Sequence, residues 1–134
     1  MSLIPLSLDV LQSLEANLHA MTQAMVAGNP LKVAQFYADQ ALLTDLKEFR
    51  VEGRAAIDQH WTKLYPYKAW RLHVLESGGD ADNPYQRLHS IARMEIKGQE
   101  YIEEGFCFVV WKKQANGEYR IHADIYYPLR FEAV

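Results

Sequence analysis

From Leu11 the apolar positions fall at Leu11, Leu14, Leu18, Met21 and Met25, the +3/+4 rhythm of a helix with one buried face. Ser7 or Asp9 caps its start. Gly28-Asn29-Pro30 closes it, because glycine tolerates the left-handed conformation and proline opens a following helix at its first turn. A second, short helix is expected over 31–38. Ala41 to Thr44 and Phe49 to Glu52 read as two short strands around a turn at 45–48. A third helix spans Arg54 to Leu64, with Ile57, Trp61 and Leu64 on one side, and Pro66 stops it.

Beyond Pro66 the period changes from helical spacing to alternation. Long strands are predicted over 68–77, 85–97, 99–112 and 118–127, separated by the Gly78–Pro84 loop, by Lys97-Gly98 as a tight hairpin and by Ala115-Asn116-Gly117. Helices followed by an antiparallel meander define an α+β chain. The Gly78-Gly79 pair joins two strands and has neither a following helix nor the Lys-Ser/Thr of a phosphate loop.

At 134 residues with 49% hydrophobic and 23% charged positions, one globular domain over 1–134 is expected. Fourteen basic against seventeen acidic residues, with no basic stripe, argue against a nucleic-acid partner. Cys107 has no second cysteine to pair with, which fits a reducing compartment. The opening Met1-Ser-Leu-Ile-Pro-Leu has no basic start or apolar core of a secretion signal, and no apolar run approaches the roughly 20 residues of a membrane span. A cytoplasmic protein with no membrane partner is the expectation.

Two segments carry a resemblance. Phe36-Tyr37-Ala38-Asp39-Gln40-Ala41, with Asp45 and with Val51-Glu52-Gly53-Arg54-Ala55-Ala56-Ile57 through Trp61, is similar to the nuclear transport factor 2-like superfamily, SnoaL-like and ketosteroid isomerase-like groups included. Phe108 to Lys113 with Asn116 to Ile121 resembles that family's closing hairpin. The resemblance implies a cystatin-like fold: a cone-shaped curved antiparallel sheet packed on N-terminal helices around a pocket. It also implies a homodimer, for which the strand face carrying Cys107, Val109 and Trp111 is the expected surface. The fold hosts many chemistries, so function has to come from the site.

By the same resemblance Asp45 falls where ketosteroid isomerases carry the aspartate that moves a proton beside a carbonyl. A carboxylate serves there only in an apolar pocket with a donor for the enolate oxygen. The isomerases' donor positions fall on Met21 and near Phe106 or Phe108, none of which can donate, so steroid isomerisation of that type is not supported. The other reading of Asp45 is a turn residue bonding its own following backbone.

On the last strand His122, Asp124 and Tyr126 share one face and Ile121, Ala123 and Ile125 the other. The resemblance puts the polar set inside. Alternation alone leaves the reverse open. On the preceding strand Glu104 is the one charge among Ile102, Phe106, Phe108 and Val110, either an acid in the pocket or a rim residue in water. The strand before that offers Leu88, Ser90, Ala92 and Met94 as pocket wall.

Five dispersed histidines and the absence of HExxH or CxxC spacing predict no metal site, and no Gly-x-Ser-x-Gly is present. The reading is a cofactor-free SnoaL-like protein binding a small apolar molecule. Its catalytic candidates are Asp45, His122 and Asp124, and its pocket candidates Met21, Tyr37, Trp61, Glu104, Phe106, Phe108 and Tyr126. If it is an enzyme, the expected chemistry is isomerisation, cyclisation, dehydration or hydration by proton transfer. The alternative is a non-catalytic binding or dimerisation module.

Overall fold

The computed structural model describes residues 5–134. In order, the elements are α1 (Leu8–Val26), α2 (Pro30–Ala34), β1 (Tyr37–Thr44), β2 (Arg50–Glu52), α3 (Arg54–Lys63), β3 (Tyr67–Gly79), β4 (Pro84–Ile96), β5 (Gln99–Lys113) and β6 (Tyr119–Ala133). The six strands form one sheet in the order β2-β1-β6-β5-β4-β3. Each neighbouring pair runs antiparallel except β1 and β6, which are parallel.

Ser7 caps α1 through its side chain, which accepts from the Val10 amide. Leu14, Leu18, Met21 and Met25 are buried on one face of the helix, each contributing roughly 1.5–3 kcal/mol by its removal from water. That face lies across the concave side of the sheet. Asn17 anchors the helix to β6 by donating to the Tyr119 carbonyl at 3.1 Å.

The second helix is shorter than its sequence suggests, ending at Ala34 instead of Ala38. The chain turns there because β6 captures it: the Ile121 amide donates to the Phe36 carbonyl at 2.8 Å, and Tyr37 sits opposite Ile121. The last strand is longer than expected, running past Tyr127 to Ala133 because β5 pairs with it as far as Tyr101.

The sheet is bent by bulges. The ladder slips between Val74 and Glu76 on β3, and twice along β5 and β6. Each extra residue adds local twist and coils the sheet into an open cone. Trp111 is fully buried, its indole donating to Gln86 Oε1 at 3.0 Å, and Gln86 in turn donates to Ser77 Oγ. This buried amide therefore satisfies its polar atoms inside the core. Among the described residues no helix is long and apolar enough to cross a membrane.

Two expected strand faces are inverted or split. On β5 it is Cys107, Val109 and Trp111 that face the core. Phe106 and Phe108 lie outside at 39% and 38% exposure, and Glu104 lies with them. The cause is register: β4 presents Leu88, Ser90 and Ala92 inward as expected, and these stand opposite Cys107, Gly105 and Glu103. The surface expected for dimerisation is therefore interior, and the expected wall residues Glu104, Phe106 and Phe108 are outside the cavity.

Candidate functional site

The concave face, α1 and α3 enclose a cavity of about 200 Å³, lined by Met21, Tyr37, Trp61, Asp124 and Tyr126 among the residues expected from sequence. Ser90 lines it from the expected wall of β4, Tyr67 and Trp70 lie there as well, and His60, Glu103 and Cys107 line it without having been expected there.

Asp124 reaches the cavity because of a bulge. Trp111 pairs with Ile121 and Val110 with Ala123, which leaves His122 as the extra residue of β6. Ile121 faces in before the bulge, Asp124 and Tyr126 after it, and His122 is turned out to solvent. Strict alternation would have kept His122, Asp124 and Tyr126 on one side. The single inserted residue re-aims the acid into the cone.

The Asp124 side chain is held from one side only. Tyr37, fully buried, donates its hydroxyl to Asp124 Oδ2 at 2.6 Å, whereas Oδ1 is buried without a protein partner. Burial raises this carboxyl to about 6, against a smaller downward pull from the Tyr37 hydrogen bond. Tyr37 is placed by Arg54 at the start of α3, whose guanidinium donates to the Tyr37 carbonyl at 2.8 Å and to Asp58 one turn on. The same helix presents Trp61, tilted against Tyr37 with ring centroids 6.0 Å apart and its indole Nε1 buried without a partner.

Farther along β5, burial also raises the Glu103 carboxyl, opposed by the neighbouring Tyr67 hydroxyl. The Tyr126 ring passes over Gly105: a Cβ built there would come within 2.6 Å of the ring. That gap at Gly105 seats the ring, and the Tyr126 hydroxyl is the third buried polar atom with no partner. The Cys107 thiol between the two acids is pushed well up, first by burial and then by Asp124 and Glu103, so it stays protonated and weakly nucleophilic. Among the described residues no three of His, Cys, Asp and Glu converge as metal ligands.

Asp45 lies outside the cavity lining, in the turn between β1 and β2. Its Oδ1 accepts from the backbone amides of Lys47, Glu48 and Phe49 at 2.8–3.0 Å. These bonds, Phe49's first, hold its carboxyl below the usual value. Here the carboxylate closes a turn. A folded-state value below the unfolded one stabilises above the unfolded value, and the benefit is lost as pH falls through the folded one. Asp45→Ala is therefore expected to melt a few degrees lower at neutral pH, with a gap that narrows in acid and with ligand binding intact. Calorimetry and titration check this; unchanged melting with lost binding would return Asp45 to the site.

Glu104, on the outer face, is gripped by His89 Nε2 at 2.6 Å and Arg130 Nε at 2.7 Å, which hold it below the ordinary carboxylate range. Its neighbour Glu103 is the acid inside. A signal for this was present in the sequence. The two-residue Lys97-Gly98 hairpin sets Ile96 opposite Gln99, and counting back puts Ala92 opposite Glu103 and Leu88 opposite Cys107.

No family model matches the chain, and no curated protein matches it either. Solved structures do. A ketosteroid isomerase-like protein from Erwinia carotovora atroseptica superposes with a TM-score of 0.78 at 14% identity, over 92% of this chain and 99% of that one. A scytalone dehydratase-like protein from Novosphingobium aromaticivorans gives 0.77 at 11% identity, over 92% and 87%. A nuclear transport factor 2-like protein with a cystatin-like fold, from the same organism, gives 0.74 at 12% identity, over 91% and 83%.

Proposed function

From the cystatin-like, nuclear transport factor 2-like fold that these superpositions establish, we propose that the chain binds a small, largely apolar molecule in the cone and moves a proton on it without a cofactor. Asp124 is the base. The observation that carries the reading is the Asp124 carboxyl itself: buried in the cavity wall, fixed by Tyr37 through one oxygen, with the other oxygen without a partner. A carboxyl at about 6 is ionised near neutral pH yet basic enough to accept a proton. Ionised, Asp124 takes a proton from carbon beside a carbonyl. The negative charge gathers on the carbonyl oxygen, where the Trp61 indole N–H donates to it. Where a double bond is conjugated to the enolate, return of the proton from Asp124 to its far carbon completes an isomerisation; where the neighbouring carbon bears a hydroxyl, delivery of that proton to the hydroxyl as it leaves as water completes a dehydration. Dehydratase-like and isomerase-like proteins among the structural neighbours support both outcomes.

Deuterium exchange tests this without knowledge of the natural substrate. In heavy water the protein is expected to accelerate exchange of the α-protons of small aryl ketones, with a rate that rises with pH through about 6 and disappears in Asp124→Asn. Binding with no exchange above the buffer rate would assign the cone to a non-catalytic binding module.

The homodimer belongs to the same proposal, on the opposite side of the sheet from that first expected. Phe108 stacks on Tyr85 at 5.4 Å and Phe106 packs on His89 across the outer face, which leaves both Phe side chains partly open to water. A second copy covering them would remove that apolar area from solvent. Light scattering reads the mass directly, and a 15.5 kDa particle would contradict the pairing.

A further inference from the structure

Three buried polar atoms without partners mark two separate ends of the cavity. Asp124 Oδ1 lies where Tyr37 holds the acid, with the Trp61 ring tilted against Tyr37, and the Tyr126 hydroxyl lies over Gly105. Asp124 stands opposite Val109, whereas the Tyr126 ring is laid over Gly105. Along β5 four residues separate Val109 from Gly105, about 13 Å at the strand rise of roughly 3.3 Å, although the Asp124 charge still reaches the Tyr126 hydroxyl. Glu103 is two residues farther along the same face and is close enough for its charge to raise the Tyr126 hydroxyl. Trp70, level with Glu103 across β4, gives a flat apolar wall, tilted on Trp61 at 5.7 Å and edge-on to Tyr67 at 5.2 Å.

Charge narrows the occupant further. Two acids line the cavity, with no Lys or Arg, and burial pushes His60 toward its neutral form. An anion would be buried here beside carboxylates with nothing to pair it. An ammonium would suit Asp124 but would leave the Trp61 and Tyr126 donors unanswered, because it has no acceptor. A cavity of about 200 Å³ is also smaller than the roughly 300–1,000 Å³ that takes a drug-sized ligand.

Resting on the reading of this cavity as the ligand site, we propose that its occupant is an uncharged, two-ended molecule about one ring long. A carbonyl sits at the Asp124–Trp61 end and a hydroxyl at the Tyr126–Glu103 end. A single ring with oxygens at opposite ends, plus a hydrogen bond at each, spans the separation. The hydroxyl oxygen accepts from Tyr126 and its proton is donated to Glu103.

Calorimetric titration near neutral pH with four probes tests this: 4-hydroxyacetophenone, acetophenone, 4-hydroxybenzoate and tyramine. The two-ended ketone is expected to bind about tenfold tighter than acetophenone, the value of one well-made buried hydrogen bond, and tighter than the anion and the amine. Tyr126→Phe and, separately, Glu103→Gln should bring its affinity down to that of acetophenone. Equal binding of the two ketones to the unmodified protein would overturn the two-ended ligand yet leave the cavity as a ketone site. Tighter binding of hydroxybenzoate or tyramine would overturn the uncharged class. Failure of all four probes to bind would overturn both this inference and the reading it rests on.

Discussion

Asp124→Asn is expected to lose turnover by about 10²–10⁴-fold, the usual contribution of a general base, and at the same time to become harder to unfold. The two effects have one cause. Raising the Asp124 carboxyl from 3.8 to about 6 corresponds to about 3 kcal/mol of stability withheld from the folded protein once the group is ionised. Asparagine carries no charge to bury and still accepts from Tyr37, though its amide N–H groups need partners, so the gain at pH above the folded value is about 1–3 kcal/mol. The sign follows from linkage. Between 3.8 and about 6 the folded state binds more protons than the unfolded state, so wild-type stability falls as pH rises through that window. The variant's advantage should therefore be full in mild base and absent once pH drops below the unfolded value. Denaturant unfolding of both proteins across that range measures it. A variant less stable than wild type in mild base would mean that Asp124 is a structural acid.

Trp111→Ala is expected to cost about 3–5 kcal/mol, the range for emptying a large buried aromatic site. It leaves Gln86 Oε1 without its indole donor. Phe108→Ser, three residues away on the other face, should leave the unfolding free energy of the monomer almost unchanged and lower the particle mass. The contrast tests the face assignment of β5 directly. A mild Trp111 variant beside a strongly destabilised Phe108 variant would invert the strand.

The elements were legible because each carries a local signal: the +3/+4 spacing of α1, the Gly28-Asn29-Pro30 stop, and the turn residues between strands. The wall of β4 was legible for the same reason, since Leu88, Ser90, Ala92 and Met94 alternate with His89, Ile91, Arg93 and Glu95, of which only Ile91 is apolar. On β5 both faces are apolar, so period two identifies a strand without saying which side is wet. Phe106 and Phe108 look like core and are outside, while Glu103 and Glu104 are adjacent acids with opposite surroundings.

The site was half legible. Tyr37, Trp61, Met21, Asp124 and Tyr126 line the cavity as expected, but the bulge at His122 exists only through pairing with β5 and β1, so no local pattern announces it. Asp45 was open to two readings for a physical reason as well. A carboxylate that closes a turn and one that removes a proton are the same residue in a sequence, and only the three amides on its Oδ1 tell them apart.

The account rests on Asp124 being a buried acid that titrates near neutrality, and carbon-13 NMR of the labelled carboxyl across pH measures that property without a substrate. The expected midpoint is about 6 in the wild type, moving upward in Tyr37→Phe, where the bond that favours the ionised form is lost. A midpoint near the ordinary 3.8, unmoved by Tyr37→Phe, would contradict it.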